Sequence, residues 1–251
     1  MKALITGASS GLGADFARIL SEKGYDLILV ARRKKKMETL AKELNTNVEI
    51  IELDISSTYN CMKLYDKVKK EKIDILINNA GFGLFGKFDE TKLDTELDMI
   101  DLNIKTVHTL TKLFLKDFKK RDSGYILNVA SAAAFLPGPL MSTYYATKAY
   151  LLHLTLAIRE ELDKDSSNVY IGALCPGPVD TEFNKVAKVK FTVKSLSSEY
   201  VTKYAIDKMF KNKMIIIPGT TTRMAIYLSK LLPFSLKLPI SYKLQESKDT
   251  K

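Results

Sequence analysis

The chain has 251 residues, 46% hydrophobic and 27% charged, which suits one domain with a substantial core. Its 39 basic against 29 acidic residues give a net charge of +10, but the lysines are spread along the chain, the only tight run is 32–36, and no aromatics interleave it, so nucleic-acid binding is not expected. Cys61 and Cys175 lack the spacing of a metal site or a disulfide framework, no apolar run approaches the ~20 residues of a membrane span, and the first strand pattern begins at Lys2; the expectation is a cytoplasmic protein with no metal and no membrane anchor.

Residues 2–6 form a short apolar strand, GASSGLG follows at once, and a helical pattern continues through Phe16, Ile19 and Leu20. Strand, glycine turn and helix in this order are the context of a dinucleotide-phosphate site. Glycines at 7, 11 and 13 let the backbone turn and approach a pyrophosphate, whose charge is met by helix N-terminal amides. The spacing, Gly-x-x-x-Gly-x-Gly, differs from the commoner Gly-x-Gly-x-x-Gly. Strands are expected next over 26–31, 48–53 and 73–77, with helices over 33–44 and 58–70. Such alternation with near-continuously apolar strands predicts an α/β fold: a Rossmann-type doubly wound parallel sheet of about seven strands with helices on both faces.

After the fourth strand, Asn78-Asn79-Ala80-Gly81 and Phe82-Gly83-Leu84 form a loop at the carboxyl ends of the strands, where open parallel sheets bind ligands. A long helix over 95–120 carries Leu97, Ile100, Ile104, Val107, Leu110 and Phe114 on one stripe, with Asn103 inside it as a local perturbation able to hold water. His108 and His153 read as packed or surface residues. A strand over 125–130, a helix over 143–163 and a strand over 169–174 lead to an exit loop, Cys175-Pro176-Gly177-Pro178-Val179-Asp180-Thr181. The Lys-rich residues 182–196 read as a lid, part of a substrate-side segment of about 182–212. A helix over 198–211, a strand over 214–218 and a helix over 220–232 follow. The tail, 233–251, sets apolar residues between lysines; its readings, in order, are packing on the body, meeting a partner subunit and lying on a lipid surface. No repeat or linker divides the chain, so a single domain over 1–251 is expected, with its cofactor half at about 1–130.

The chemistry concentrates between Asn128 and Lys148. Tyr144 and Lys148 stand four residues apart at a helix start, one turn from each other. A nearby ammonium favours the phenolate and lowers a tyrosine pKa toward the range useful for proton transfer, and Ser131 at the preceding strand end offers a second hydroxyl to the same oxygen. Spacing alone does not choose between Tyr144 and Tyr145, since Tyr145 is also a helical neighbour of Lys148.

With these residues in hand, the chain resembles the classical short-chain dehydrogenase/reductase family over about residues 2–218. Thr6-Gly7-Ala8-Ser9-Ser10-Gly11-Leu12-Gly13 matches the family's TGxxxGxG, Asn78-Asn79-Ala80-Gly81 its NNAG loop, Tyr144-Tyr145-Ala146-Thr147-Lys148 its YxxxK and Pro176-Gly177 its PG motif. Asn103 and Ser131 match its catalytic asparagine and serine, and the 13-residue interval from Ser131 selects Tyr144 over Tyr145. The resemblance implies that Tyr144 exchanges the proton, Ser131 holds the substrate oxygen, Lys148 binds the nicotinamide ribose and lowers the Tyr144 pKa, and Asn103 holds a water linked to Lys148. It implies a cofactor surface made of Thr6, Gly7, Ser9, Ser10, Gly11, Leu12, Gly13, Asn79, Ala80, Gly81, Pro176, Gly177 and Val179, with Asp54 and Ile55 at the adenine and Thr181 at the carboxamide. A homodimer or homotetramer through the two long helices is also implied.

The cofactor expected is NADP(H). The acidic residue that accepts the ribose 2'-hydroxyl of NAD ~20 positions after the glycine turn is replaced by Ala31; Arg32 follows, able to hold a 2'-phosphate through two hydrogen bonds, and Arg33 or Lys34 adds longer-range attraction. The expected pocket floor, Ala133, Phe135, Leu136, Phe82, Leu84 and Phe183, suits a hydrophobic ketone, aldehyde or 3-oxoacyl chain in a carbonyl–alcohol interconversion. Two further readings of the scaffold are a nucleotide-sugar epimerase or dehydratase, against which the glycine spacing argues, and a non-catalytic dinucleotide-binding regulator, against which the intact Ser131, Tyr144 and Lys148 argue.

Overall fold

The structure, a computed structural model, describes residues 1–187 and 195–247. Seven parallel strands, β1 (Lys2–Thr6), β2 (Asp26–Ala31), β3 (Val48–Glu52), β4 (Ile75–Asn78), β5 (Tyr125–Val129), β6 (Tyr170–Leu174) and β9 (Ile215–Ile216), form one sheet in the order β3-β2-β1-β4-β5-β6-β9. Alternation of side chains explains why these strands are apolar throughout. Ala3 and Ile5 of β1, with Leu27 and Leu29 of β2, pack on one face with Phe16 and Leu20 of α1 (Gly11–Glu22) and with Val201 and Ala205 of α8 (Ser198–Phe210). Leu4, Ile28 and Val30 face the other way, toward Leu64 of α3 (Thr58–Val68) and Leu110, Phe114 and Phe118 of α5 (Val107–Lys120).

The chain lays β1, β2 and β3 outward in one direction, then returns to place β4 on the other side of β1. The loops leaving β1 and β4 therefore diverge at their carboxyl ends and open a crevice, the place where doubly wound sheets bind ligands. α2 (Lys34–Ala41) is shorter than expected. The long helix expected over 95–120 instead runs as α4 (Leu93–Ile100), a π-helical segment (Asp101–Thr106) and α5, with Asn103 inside the wider turn. α6 (Ser142–Lys164) carries Tyr144 and Lys148.

In the expected lid, β7 (Val179–Asp180) pairs with β8 (Leu196–Ser197) and α7 (Phe183–Val186) lies between them in sequence; residues 188–194 of that segment lie outside the described residues. β9 is shorter than its five-residue apolar pattern. α9 (Thr220–Leu231) was expected, whereas the tail folds into a further helix, α10 (Phe234–Glu246), with Pro239 inside it.

Candidate active site

The glycine turn joins β1 to α1 across the crevice. Gly7 has φ 66°, and a Cβ there would stand 2.9 Å from Ala80 Cα; at Gly13 a Cβ would stand 2.3 Å from the Gly7 carbonyl oxygen, so only glycine lets α1 start this close to the turn. Thr6 fastens the two loops together: its hydroxyl donates to the Ile77 carbonyl at 3.3 Å and accepts from the Asn79 amide at 2.9 Å and the Ala80 amide at 3.1 Å, while Asn79 Nδ2 donates to Thr6 O at 3.0 Å. The first residue of the Asn pair does different work. Asn78 Nδ2 donates to Asn128 Oδ1 at 2.8 Å, and Asn128 Nδ2 to Thr155 Oγ1 at 2.9 Å, a buried polar chain beneath the site that no motif signals. At the α1 start, Ser10 makes no side-chain cap, so the first amides of the helix are left for another acceptor.

Ser131, Tyr144, Lys148 and Asn103 come together at the carboxyl end of β5. Ser131 ends the strand with extended backbone and caps a 3-10 turn (Ala132–Phe135), its Oγ accepting from the Ala133 amide at 3.1 Å. Its hydroxyl lies near enough to the Tyr144 phenol to favour the phenolate. Lys148 Nζ donates to the Val129 carbonyl at 2.9 Å and stands 5.8 Å from the centre of the Tyr144 ring. Asn103 accepts from the Phe82 amide at 3.1 Å and donates to the Phe82 carbonyl at 2.9 Å and to Thr147 Oγ1 at 3.1 Å, which pins the 79–83 loop to the π-helical turn. A Cβ on Gly81 would meet Asn103 Oδ1 at 2.8 Å and Lys148 Nζ at 3.6 Å, so the asparagine and the lysine face the same spot.

The electrostatics correct one expectation. Burial pushes the Tyr144 phenol above its ordinary pKa, and the nearby Ser131 hydroxyl opposes this only in part; the depression expected from Lys148 does not appear. Lys148 is buried too, which draws its own pKa down to about 8. With its ammonium turned to a carbonyl and spaced from the phenol, desolvation of both groups outweighs their interaction.

At the other end of the crevice Arg33, rather than Arg32, leans over the glycine turn. Its guanidinium donates to Ser9 Oγ at 3.1 Å and Ser10 Oγ at 2.7 Å, and it pairs with Glu182 at 2.7 Å. Glu182 also takes Lys36, and these two cations, Lys36 first, hold its carboxyl down at about 2. Arg32 lies 3.6 Å from Asp54. Burial raises the Asp54 pKa, but the Ser56 amide and hydroxyl and then Arg32 outweigh it, for a net lowering. Ile55 is buried and gives its carbonyl to Thr106 Oγ1. Thr181 stands over the turn, 3.1 Å from where a Gly11 Cβ would lie; Val179 is buried, and the Pro176 carbonyl, next to Gly177, accepts from the Ala132 amide at 2.8 Å. Leu12 packs partly buried against the sheet core.

Tyr144 forms one wall of an apolar cluster with Ala133, Phe82, Leu84 and Phe183, the last with its ring centre 5.4 Å from that of Tyr144. Two expected floor residues are elsewhere: the 3-10 turn rotates Phe135 into a separate cluster with Ala134, Leu151 and Leu152, and Leu136 joins neither. Met99, Met141 and Phe85 take their place, residues not among those expected at the floor. Tyr145 packs against this cluster, its ring centre 6.1 Å from that of Tyr144, and accepts a hydrogen bond from Gln245 of α10.

A family model described as "short chain dehydrogenase" matches residues 1–190. An uncharacterised oxidoreductase of Staphylococcus epidermidis is 35% identical over 182 residues, 71% of this chain and 78% of that protein. The human very-long-chain 3-oxoacyl-CoA reductase is 31% identical over 214 residues, 81% of this chain and 67% of that protein. Among solved structures, a short-chain dehydrogenase from Sphingobium yanoikuyae in complex with NADPH superposes with a TM-score of 0.82 at 28% identity, over 91% of this chain and 92% of the other. The chain belongs to the short-chain dehydrogenase/reductase family of oxidoreductases, and its fold is that of the family.

Proposed function

We propose that the protein is an NADP(H)-dependent reductase that interconverts a carbonyl and an alcohol on a hydrophobic ketone, aldehyde or 3-oxoacyl substrate. The observation that carries this is the buried Tyr144 phenol, near Ser131 and one helical turn from Lys148, at the carboxyl end of β5 where Asn103 and Lys148 face Gly81.

The fit of a dinucleotide rests on the space that side chains would fill at Gly7 and Gly13 and on the uncapped amides of α1, with Ser9, Ser10, Arg33 and Lys36 beyond them as donors for a 2'-phosphate. When bound, the nicotinamide supplies or takes the hydride. Ser131 Oγ holds the substrate oxygen, and Tyr144 Oη, kept protonated by burial, gives that oxygen its proton as charge develops on it. Lys148, held by the Val129 carbonyl, restores the proton through the Asn103 side of the site. The apolar wall of Phe82, Leu84, Met99 and Phe183 excludes water and favours an aliphatic or aromatic substrate body. The human relative's name, a 3-oxoacyl-CoA reductase, agrees with that chemistry.

The test is a carbonyl panel assayed with NADPH and with NADH. Tyr144→Phe should lower carbonyl reduction by about 100- to 10,000-fold while NADPH binding, followed by cofactor fluorescence, stays near wild type. Tyr145→Phe should keep most activity. An active Tyr144→Phe enzyme would refute the assignment.

A further inference from the structure

Helix α10 is inside out. Its buried residues are the polar Ser241 and Gln245, one turn apart, which face the body: Ser241 Oγ donates to the Pro137 carbonyl at 3.1 Å, and Gln245 donates to the Tyr145 hydroxyl. Its large apolar side chains, at every second position and so spread around the helix, are each at least 39% exposed, unlike those of a helix that closes a core. α9 is similarly exposed. Met224, Leu228, Leu231, Phe234, Leu236 and Leu244 are between 55% and 81% exposed, far more apolar area than scattered surface leucines account for.

Within residues 220–247 the charge is nearly all positive. Lys230, Lys237 and Lys243 sit among the apolar residues, and Glu246 is the only acidic residue in 220–247. None of the three lysines joins a salt bridge among the described residues; Lys230 lies over the Tyr227 and Phe135 rings at 5.6 and 5.7 Å, and Lys237 over Phe234 at 4.9 Å, so their stems run along apolar side chains. Arg223 is turned inward instead, donating to the Tyr204 hydroxyl and the Ile217 carbonyl.

We propose that α9 and α10 form a docking plate for the surface of an anionic phospholipid bilayer. Charge complementarity selects this occupant. A second copy meeting the plate through a two-fold axis would set these lysines against the same lysines with almost no acid to receive them, whereas anionic headgroups supply the missing charge and acyl chains the apolar contact. No helix among the described residues is long and apolar enough to cross a membrane, so the plate lies on the surface. The position is also apt: α9 packs on the 3-10 turn after Ser131, and α10 is bonded to the 137–145 stretch, so the plate adjoins the substrate side of the crevice. Docking goes beyond the reductase reading and is measured without it.

The full-length protein is floated with phosphatidylcholine vesicles and with vesicles of phosphatidylcholine and phosphatidylserine. Wild type should float with the anionic vesicles only, and added salt should release it. Each lysine neutralised should weaken partition about fivefold, so Lys230→Gln/Lys237→Gln/Lys243→Gln should lose roughly a hundredfold. Leu231→Ser/Phe234→Ser/Leu236→Ser should not float at all, and both variants should reduce a water-soluble ketone like wild type. Wild type that stays unfloated, or floats equally with neutral vesicles, overturns the proposal. So does a dimer, measured by light scattering, that the serine variant alone dissociates. If the reductase reading fails, activity is missing in wild type while flotation is unaffected.

Discussion

Lys148 is only 5% exposed, and its pKa falls from 10.5 to about 8 because burial penalises the charge. The sign follows directly. Below about pH 8 both folded and unfolded chains carry the proton and the penalty is complete; between about 8 and 10.5 the folded chain has released it while the unfolded chain still holds it, so stability rises with pH across that window. Lys148→Met should remove this rise, seen as urea midpoints that no longer climb between the two pH values. A wild-type midpoint flat over the same range would show that the lysine is already solvated. Burial acts on Tyr144 in the opposite sense, keeping the phenol protonated and therefore able to donate. The proposed preference for NADPH is assigned to Arg33. Arg33→Ala removes a charge-assisted contact of ~1.5 to 3 kcal/mol, so the Michaelis constant for NADPH should rise roughly ten- to a hundredfold with NADH little changed. Glu182 now occupies both Arg33 and Lys36. Glu182→Gln removes that internal competitor, and since the pair is well exposed the gain for NADPH should be modest, up to about fivefold. Equal effects of either change on NADH and NADPH would place the 2'-phosphate elsewhere.

The π-helical segment is the element on which the site turns. One widened turn between α4 and α5 carries the Asn103 side chain to both the amide and the carbonyl of Phe82, so a helix and the loop after β4 are fixed by a single residue. Asn103→Ala would leave buried backbone groups unpaired and should cost about 1 to 3 kcal/mol in urea denaturation, with reduced activity as the loop shifts. Unchanged stability would mean that water replaces the amide without loss. The glycine turn, the seven strands and the Tyr144–Lys148 pair were legible because each is specified by residues close in sequence. The π turn was legible only as a perturbation at Asn103, since one extra residue in a turn hardly disturbs an apolar stripe. α10 was not legible as a helix: its apolar residues fall at every second position, the period of a strand, and Pro239 interrupts them. What made it a helix is the Ser241 and Gln245 seam, a tertiary contact. The sequence favours Arg32 over the turn, and Arg33 takes that place because the two are neighbours and only the path of the chain from β2 into α2 separates them.

At the scale of the whole molecule, two surfaces remain open on different elements. One is the plate of α9 and α10. The other lies along α4, the π turn, α5 and α6, where the inner stripe is buried through Leu110, Phe114, Leu151 and Leu152 while Leu93, Leu97 and Tyr150 stay exposed, and His108 of α5 bonds the Tyr150 hydroxyl of α6 at 2.7 Å across the outside. Two long helices side by side offer an extended face of the kind a two-fold axis can repeat against itself, and a stable pairing needs about 1,200 to 2,000 Å² of buried surface. The expected outcome is a dimer mass by light scattering at micromolar concentration, reduced to a monomer in Leu97→Glu/Tyr150→Glu with its circular dichroism retained. A monomeric wild type would count against the face. Because α9 and α10 take no part in this pairing, the two surfaces should respond independently: the glutamate variant should still float with anionic vesicles, and the Lys230, Lys237 and Lys243 variant should still be a dimer. If instead one set of substitutions abolished both behaviours, a single shared surface would have to account for them.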